Sequence, residues 1–166
     1  NKGQLNQFKK IIPNGKNLGI KISYKEQAHP KGLPDAFILG DDFIKKDNVA
    51  LILGDNFFYG QSLTQKLKNS IKLKSGAQVF LHPVKNPQDY GVATVKKNKI
   101  IKIVEKPKKT ASNLAITGLY FFDNNVVELS KSLRASSRNE LEITDLLNKY
   151  KKKKKLKAEF IGRGGT

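Results

Sequence analysis

Apolar and polar residues recur along the chain with two periods, one typical of helices and one typical of strands. The helical period predicts helices over residues 5–12, 33–44, 63–73 and 141–150, and a further helix that begins near Asp123. Two stretches, 49–53 and 77–84, are apolar on both faces, as parallel strands in the middle of a sheet are. Together with the helix between them they predict a βαβ unit.

Shorter apolar or alternating stretches predict the remaining strands. These lie over residues 20–26, 92–95, 100–104, 115–122 and 156–161. The polar residues 96–99 predict a hairpin turn between two of them. We therefore expect an α/β fold, with a mainly parallel sheet flanked by helices and a small antiparallel insertion. No repeat or linker-like tract divides the chain, so we expect residues 1–166 to form a single domain.

The composition excludes several classes of site. Cysteine is absent and only His29 and His82 supply imidazole, which excludes disulfides, thiolate zinc sites, cysteine nucleophiles and histidine-rich metal sites. A bound metal must then be held by oxygen ligands. The sequence shows no apolar run as long as a membrane span, no secretory leader and no lipidation motif. We therefore expect a cytoplasmic location and no membrane partner.

The chain is strongly basic, with a formal net charge of +18 at pH 7. Only Arg134, Arg138 and Arg163 are arginine, the residue that nucleic-acid readers favour for forked contacts to phosphate and guanine. Lysines are spread along the whole chain, and their densest run, 151–155, follows a predicted helix, whose dipole favours cations at that end. We interpret the charge as a lysine-rich composition and expect no specific nucleic-acid partner. A basic nucleic-acid-binding module is the remote alternative.

The Gly-Asp-Asn sequence at 54–56 comes directly after the apolar stretch 49–53. Ligands of open α/β sheets bind beyond the carboxyl ends of the strands, which is where this order places Asp55. A lone carboxylate beside phosphate groups is a typical Mg²⁺ ligand, since this ion keeps several waters and takes one or two carboxylates. The alternative is an ordinary turn or helix cap, for which Gly-Asp-Asn is equally suitable.

Further motifs stand before and after this turn in a fixed order. They are Tyr-Lys-Glu-Gln (24–27), Gly-Leu-Pro-Asp-Ala (32–36), Asp-Tyr-Gly-Val (89–92), Val-Glu-Lys-Pro (104–107), Ile-Thr-Gly-Leu-Tyr-Phe (116–121), Asn-Glu-Leu-Glu-Ile-Thr-Asp (139–145) and Gly-Arg-Gly (162–164). In this order and spacing they resemble the sugar-nucleotide pyrophosphorylases, most closely the glucose-1-phosphate thymidylyltransferases. The resemblance covers essentially the whole chain.

The resemblance implies a Rossmann-like nucleotide-diphospho-sugar transferase fold and a Mg²⁺-dependent nucleotidyl transfer. The substrates would be dTTP and α-D-glucose 1-phosphate, and the products dTDP-glucose and pyrophosphate. Asp55 and Lys106 would be catalytic, and Asp55 would also be the metal ligand. A homo-oligomer, a tetramer for the full-length protein, is implied as well. A related enzyme that uses UTP or CTP is the alternative, because residues that read a pyrimidine do not by themselves require the thymine methyl group.

The resemblance assigns Gln27, Gly32 and Leu33 to the nucleotide. A side-chain amide offers both a donor and an acceptor to the imide edge of a pyrimidine, and a glycine lets backbone groups approach the base closely. The alternatives are a solvated strand end for Gln27 and an ordinary loop glycine for Gly32.

The resemblance also assigns a set of residues to the sugar phosphate. They are Asn56, Tyr90, Gly91, Glu105, Lys106, Ile116 and Tyr120. Glu105 would accept hydrogen bonds from sugar hydroxyls and Lys106 would neutralise the phosphate. The alternatives are a strand-entry turn at Tyr90, solvated charges at 105–106 and a core position for Ile116. His29 and His82 have no partners in the sequence, so we expect both to be structural or exposed.

Two family features have no counterpart in the sequence. These are the glycine-rich loop that cradles the triphosphate and the aspartate that provides the second metal ligand. We therefore expect the chain to be the central part of a longer enzyme, truncated at both ends, and to be inactive by itself.

Overall fold

A computed structural model describes residue 3 and residues 5–161. Its helices are α1 (Leu5–Ile11), α2 (Asp35–Leu39), α3 (Asp41–Ile44), α4 (Leu63–Ser70), α5 (Val126–Lys131) and α6 (Ile143–Lys152). Its strands are β1 (Val49–Ile52), β2 (Ala77–Pro83), β3 (Gly91–Lys96), β4 (Lys99–Glu105), β5 (Leu114–Phe122) and β6 (Leu156–Phe160). Short 3-10 turns lie at Lys16–Leu18 and Pro87–Asp89.

Most predicted elements are confirmed within a few residues. The predicted helix over 33–44 is divided at Gly40 into α2 and α3. The strand predicted over 20–26 is wrong, because these residues have no regular structure. Their first amides bond locally instead of to a neighbouring strand, from Ile20 N to Gly15 O (3.1 Å) and from Ile22 N to Asn14 O (3.2 Å). The Gly-Arg-Gly motif at 162–164 lies outside the described residues.

The strands form one mixed sheet in the order β4-β3-β5-β2-β6, with β1 also paired to β5. β2 pairs along the length of β5 on one edge of that strand. On the other edge of β5, β3 pairs at Leu114 and Ala115, and β1 pairs from Leu119 to Phe122. Among the strands of residues 5–161, β2 and β6 are the one parallel pair of neighbours. The predicted α/β class is confirmed, with the sheet mixed rather than mainly parallel because β5 lies antiparallel between β1 and β2.

The two strands predicted to be buried on both faces behave differently. β2 is buried from Ala77 to Leu81, as predicted. β1 alternates between half-buried and exposed positions, and Ile52 is 59% exposed. Within the described residues β1 pairs only with β5, so the prediction of a central parallel strand is wrong for β1.

The alternation of side chains along β5 creates two apolar layers, one on each face of the sheet. On one face Phe122 contacts Phe37 of α2 and Tyr150 of α6, with ring centroids 5.2 Å and 5.6 Å away. On the other face Phe121 packs against Phe80 of β2, and α4 covers this layer. Helices therefore flank both faces of the sheet, which leaves its strand ends to form a site.

The β3–β4 hairpin carries one wall of that site. Its turn residues Lys97 and Asn98 both have positive φ, 48° and 59°, as a two-residue hairpin turn of type I′ requires. The predicted turn at 96–99 is thereby confirmed. The register of the hairpin brings Gly91, at the start of β3, opposite Glu105, at the end of β4. No helix within residues 5–161 is long and apolar enough to cross a membrane.

Candidate active-site cleft

A cleft of about 640 Å³ opens between the loop after β1, the β3–β4 hairpin, the middle of β5 and the start of α6. Most of the predicted site residues line it. They are Leu33, Asp55, Asn56, Tyr90, Gly91, Glu105, Lys106, Ile116 and Tyr120. The fold thus brings together residues that are far apart in the sequence.

Asp55 lies on the exposed loop that follows β1, and hydrogen bonds tie this loop to β5. Leu53 N donates to Gly118 O at 2.9 Å, and Gly118 N donates to Asn56 Oδ1 at 3.0 Å. Asn56 Nδ2 in turn donates to Asp55 Oδ1 at 2.8 Å. The loop is therefore held at both sides of the carboxylate.

The donor set at Asp55 fits a magnesium ion that is shared with substrate. Within the described residues, no group of three or more His, Cys, Asp or Glu side chains could enclose a metal. Mg²⁺ does not need such a group, since one or two carboxylates, waters and phosphate oxygens complete its shell. Oδ2 of Asp55 has no hydrogen-bond partner among residues 5–161, so one carboxylate oxygen is available at the cleft wall.

Gly91, Glu105 and Thr144 form the opposite wall. A Cβ on Gly91 would lie 2.8 Å from Thr144 Cγ2 and 3.3 Å from Glu105 Oε2, so only glycine fits there without displacement. Burial raises the pKa of Glu105 above its ordinary value, and the charge of Glu142 raises it further. A hydrogen bond from Thr144 and the charges of Arg138 and Lys106 lower this pKa but do not cancel the effect. The fold thus keeps a partly desolvated acceptor at the cleft.

Lys106 follows Glu105 in an unusual backbone conformation. Its φ is +37°, which is uncommon for a residue other than glycine and is found where the surroundings enforce it. Its N–H donates to Tyr90 O at 3.0 Å, which closes the end of the hairpin. Lys106 is exposed and lines both this cleft and a neighbouring groove.

Ile116 and Tyr120 form the floor of the cleft and also belong to the core. They are 7% and 3% exposed, and both lie in the larger apolar cluster. Burial and the nearby charge of Glu105 raise the pKa of Tyr120, so its hydroxyl stays protonated. The core position considered for Ile116 is thus compatible with a place beside the ligand.

Gln27 and Gly32 do not line the main cleft. They lie in an adjoining groove of about 360 Å³, which shares Leu33, Glu105 and Lys106 with it. Gln27 Nε2 donates to Asp35 Oδ2 at 2.7 Å, and this hydrogen bond engages one of the two N–H donors of its amide.

The backbone geometry at position 32 requires a glycine. Its φ is +93°, and a Cβ there would lie 2.1 Å from the backbone oxygen of Leu141. The amide of Leu141 donates to Lys31 O at 2.8 Å, so the two segments run in direct contact. The glycine is required by this close approach, whatever else it contacts.

Sequence reasoning missed Arg138, which lies in the adjoining groove. Its Nε and Nη2 donate to Glu142 at 3.2 Å and 2.6 Å, and Nη2 lies 3.5 Å from Glu105 Oε1. Burial alone would raise the pKa of Glu142, but the hydrogen bonds from Arg138 and Ser136 outweigh it and lower the pKa. Arg138 stands just before the 139–145 motif, which was the available signal.

Thr144 and His82 were also missed. Thr144 lines the cleft directly, beside Gly91 and Glu105. His82 is half-buried and lines the cleft, and its buried Nδ1 has no hydrogen-bond partner among the described residues. Both histidines were expected to be either structural or exposed, and His29 is exposed.

Comparison with known sequences finds a family profile and relatives that agree with each other. The profile of the family described as nucleotidyl transferase matches residues 1–165. The glucose-1-phosphate thymidylyltransferase of Neisseria meningitidis (strain Z2491) is 48% identical over 158 residues, which are 95% of this chain and 55% of that protein. The protein of the same name from Mycobacterium tuberculosis (strain H37Rv) is 40% identical, over 95% of this chain and 54% of its own length. The chain thus spans about half the length of these curated relatives.

Solved structures agree with the sequences. A Bacillus anthracis protein crystallised with sucrose, and assigned by its name to the glucose-1-phosphate thymidylyltransferases, superposes with a TM-score of 0.88 at 34% identity. The superposition covers 99% of this chain and 66% of that one. A UDP-glucose pyrophosphorylase in complex with UDP-glucose superposes with a TM-score of 0.76 at 27% identity, over 91% of this chain and 62% of that one. On the profile match, the relatives and the fold together, the chain belongs to the nucleotidyl transferase family.

Proposed function

We propose that the protein transfers a thymidylyl group from dTTP to α-D-glucose 1-phosphate, giving dTDP-glucose and pyrophosphate in a Mg²⁺-dependent reaction. The observation that carries this proposal is the convergence of Asp55, Glu105 and Lys106 on one cleft, from two separate segments of the chain. Relatives at 40–48% identity bear the name of this activity.

The reaction needs alignment and charge neutralisation rather than a covalent enzyme intermediate. An oxygen of the sugar phosphate attacks the α-phosphorus of dTTP, a new P–O bond forms, and the bond to the leaving pyrophosphate breaks. A cleft that holds two anions in line removes much of the entropic barrier. The positive charge of Lys106 lowers the repulsion between the anions and stabilises the charge that develops in the transition state.

We assign Asp55 to Mg²⁺, which when bound supplies charge neutralisation for the phosphoryl group and for pyrophosphate. Glu105 accepts hydrogen bonds from sugar hydroxyls, because it is the partly buried carboxylate of the opposite wall. Gly91 and Tyr90 leave room for the sugar beside it, and Ile116 and Tyr120 form the floor below. Asn56 lies within reach of the same space.

The base occupies the adjoining groove in this proposal, next to Gln27, Gly32 and Leu33. The amide oxygen of Gln27 has no hydrogen bond within the described residues, so it remains available to an imide N–H. The structural likeness to a UDP-glucose pyrophosphorylase favours UTP as the second candidate nucleotide. CTP is the weaker alternative.

A nucleotide panel tests the proposal. Because the chain spans about half the length of its relatives, the test uses the full-length enzyme that contains it. This enzyme is supplied with glucose 1-phosphate, Mg²⁺ and one of dTTP, UTP, CTP, ATP or GTP, and pyrophosphate release is measured. We expect dTTP to give the highest kcat/KM and UTP the next. A preference for ATP or GTP would overturn the assignment of the base groove.

Three wider expectations stay predictions. Assembly as a homo-oligomer, a cytoplasmic location and a single-domain organisation all derive from the resemblance and from the composition. Sedimentation and fractionation of the protein would test the first two.

A further inference from the structure

The side chain of Asn56 connects Asp55 to the backbone of the central strand β5. Its Nδ2 donates to Asp55 Oδ1 at 2.8 Å, and its Oδ1 accepts from Gly118 N at 3.0 Å. Asn56 N donates to Leu53 O at 3.2 Å, so the backbone of the residue is fixed as well. Both ends of the amide are thus engaged within the protein.

The orientation of this amide follows from the chemistry of its partners. A backbone N–H can only donate, so the oxygen of Asn56 must face Gly118. An ionised carboxylate can only accept, so the NH₂ group must face Asp55. An amide satisfies both partners at once. An aspartate in its place would set two carboxylates against each other, and an alanine would leave both partners without a bond.

Gly118 makes room for the contact. A Cβ at this position would lie 2.6 Å from Asn56 Oδ1 and 2.8 Å from both Asn56 Cγ and Leu53 Cγ. These distances are too short for a side chain, so any substitution at Gly118 must displace both Asn56 and Leu53. The strand is therefore shaped to receive the amide.

Asp55 depends on this contact for its position. The residue is exposed, and within residues 5–161 its carboxylate has Asn56 as its one hydrogen-bond partner. An exposed carboxylate with no fixed partner samples several rotamers, and ordering it costs free energy when a ligand binds. The bond to Asn56 orders one oxygen in advance and leaves Oδ2 for a ligand.

We propose that Asn56 is a positioning residue that holds the Asp55 carboxylate for its metal and anchors it to β5. This inference rests on the proposed function, in which Asp55 binds Mg²⁺. It changes what is expected of Asn56, because the resemblance assigns this residue to the sugar. Partners that orient a metal-binding carboxylate typically contribute about 10- to 100-fold to metal affinity or activity. Loss of Asn56 should therefore weaken metal binding before it weakens sugar binding.

The metal alone gives a test that does not depend on turnover. Mn²⁺ is titrated into the ¹⁵N-labelled chain, and the concentration that halves the NMR intensity of the residue-118 amide is measured. We compare the parent with Asn56→Ala, with Gly118→Ala, which displaces Asn56 without removing a polar group, and with Asp55→Asn. Asn69→Ala is the matched control, because it makes the same change on the exposed face of α4, away from the cleft.

We expect Asn56→Ala and Gly118→Ala to raise the halving concentration about tenfold. Asp55→Asn should remove the broadening, and Asn69→Ala should match the parent. If Asn56→Ala also matches the parent while Asp55→Asn loses the broadening, the positioning role is overturned and the metal assignment stands. If Asp55→Asn matches the parent, the metal assignment and the positioning role are both overturned.

Kinetics separate positioning from sugar binding. In the active enzyme, Asn56→Ala should raise the Mg²⁺ concentration needed for half-maximal activity, with the KM for glucose 1-phosphate within about twofold of the parent. A raised KM for the sugar with an unchanged Mg²⁺ requirement would show that Asn56 binds the sugar and would overturn the inference.

Discussion

The hydroxyl of Tyr150 donates a hydrogen bond of 2.8 Å to Oδ1 of Asp123, and both residues are buried. The same carboxylate accepts a bond from Gly76 N at 2.6 Å and one from Asn125 N at 3.2 Å. Asp123 therefore joins the segment just before β2, the end of β5 and helix α6.

Stability should depend on pH through Asp123. Burial alone would raise its pKa, but the hydrogen bonds from Gly76, Tyr150 and Asn125 outweigh burial and lower it below the ordinary 3.8. Because this pKa is lowered by folding, the ionised Asp123 carboxylate stabilises the folded state fully above about pH 4. This stabilisation is lost as the pH falls through the pKa that Asp123 has in the folded protein. We expect the urea midpoint of Asp123→Asn to fall less steeply than that of the parent as the pH is lowered from 7 to 2. A fall as steep as that of the parent would contradict the prediction.

Tyr150→Phe should destabilise the protein by about 1.5–3 kcal/mol, because it removes a donor from a buried carboxylate while the ring packing is kept. Urea unfolding at pH 7 measures the difference. Tyr24→Phe is the matched control, because the hydroxyl of Tyr24 bonds to the exposed backbone of Ile12 and its loss should cost far less.

The pKa of Glu105 should respond in opposite directions to two neighbours. Its pKa is raised mainly by burial, and the hydrogen bond from Thr144 opposes this while the charge of Glu142 adds to it. Thr144→Val should therefore raise the pKa of Glu105 further, and Glu142→Gln should lower it. A ¹³C NMR titration of the Glu105 carboxyl measures both shifts. Shifts of the same sign would refute the assignment of these two causes.

The Gly32 position should not tolerate a side chain. Gly32→Ala places a Cβ 2.1 Å from Leu141 O at a φ of +93°, so either the loop or the chain at 141 must move. We expect a loss of about 1–3 kcal/mol in the free energy of unfolding, the usual cost of a strained backbone position. Gly54→Ala is the control for stability, since its Cβ would enter open space. An unchanged stability for Gly32→Ala would leave contact with the base as the reason for this glycine.

Local patterns predicted the elements well, because each depends on residues close in sequence. The β3–β4 hairpin was predicted from residues 96–99, and its register alone brings Gly91 opposite Glu105. Strand direction was not predictable in the same way. β1 and β2 are both apolar runs, yet the antiparallel β5 between them decides how each is paired, and β5 is distant in sequence.

The candidate site also has residues that short motifs predicted and residues that they did not. Asp55, Glu105 and Lys106 were predicted from short motifs, and the structure brings all three to one cleft. Arg138 and His82 were missed because a polar loop and a strand residue carry no periodic signal. The strand wrongly predicted over 20–26 has alternating residues, but no strand in the described part of the chain pairs with it.

Nucleic-acid binding should be non-specific and governed by salt. The charge of +18 comes from lysines spread along the chain, which attract phosphates without reading bases. We expect DNA of any sequence to bind at low ionic strength and to dissociate as salt approaches the physiological range, as fluorescence anisotropy would show. Discrimination between sequences at physiological salt would support the nucleic-acid-binding alternative.

Asp55 should be needed for turnover and not for stability. Asp55→Asn keeps the size of the side chain and the oxygen that accepts from Asn56, and the residue is exposed, so the melting temperature should stay close to that of the parent. The amide removes the negative charge that a magnesium ion requires, and the loss of one such electrostatic group costs about 10²- to 10³-fold in rate. Pyrophosphate release from dTTP and glucose 1-phosphate by the full-length enzyme measures kcat. Gln61→Asn is a suitable control, since this residue lies after the same strand but outside the cleft. A kcat for Asp55→Asn within threefold of the parent would remove Asp55 from the mechanism, and the metal would then have to be held elsewhere.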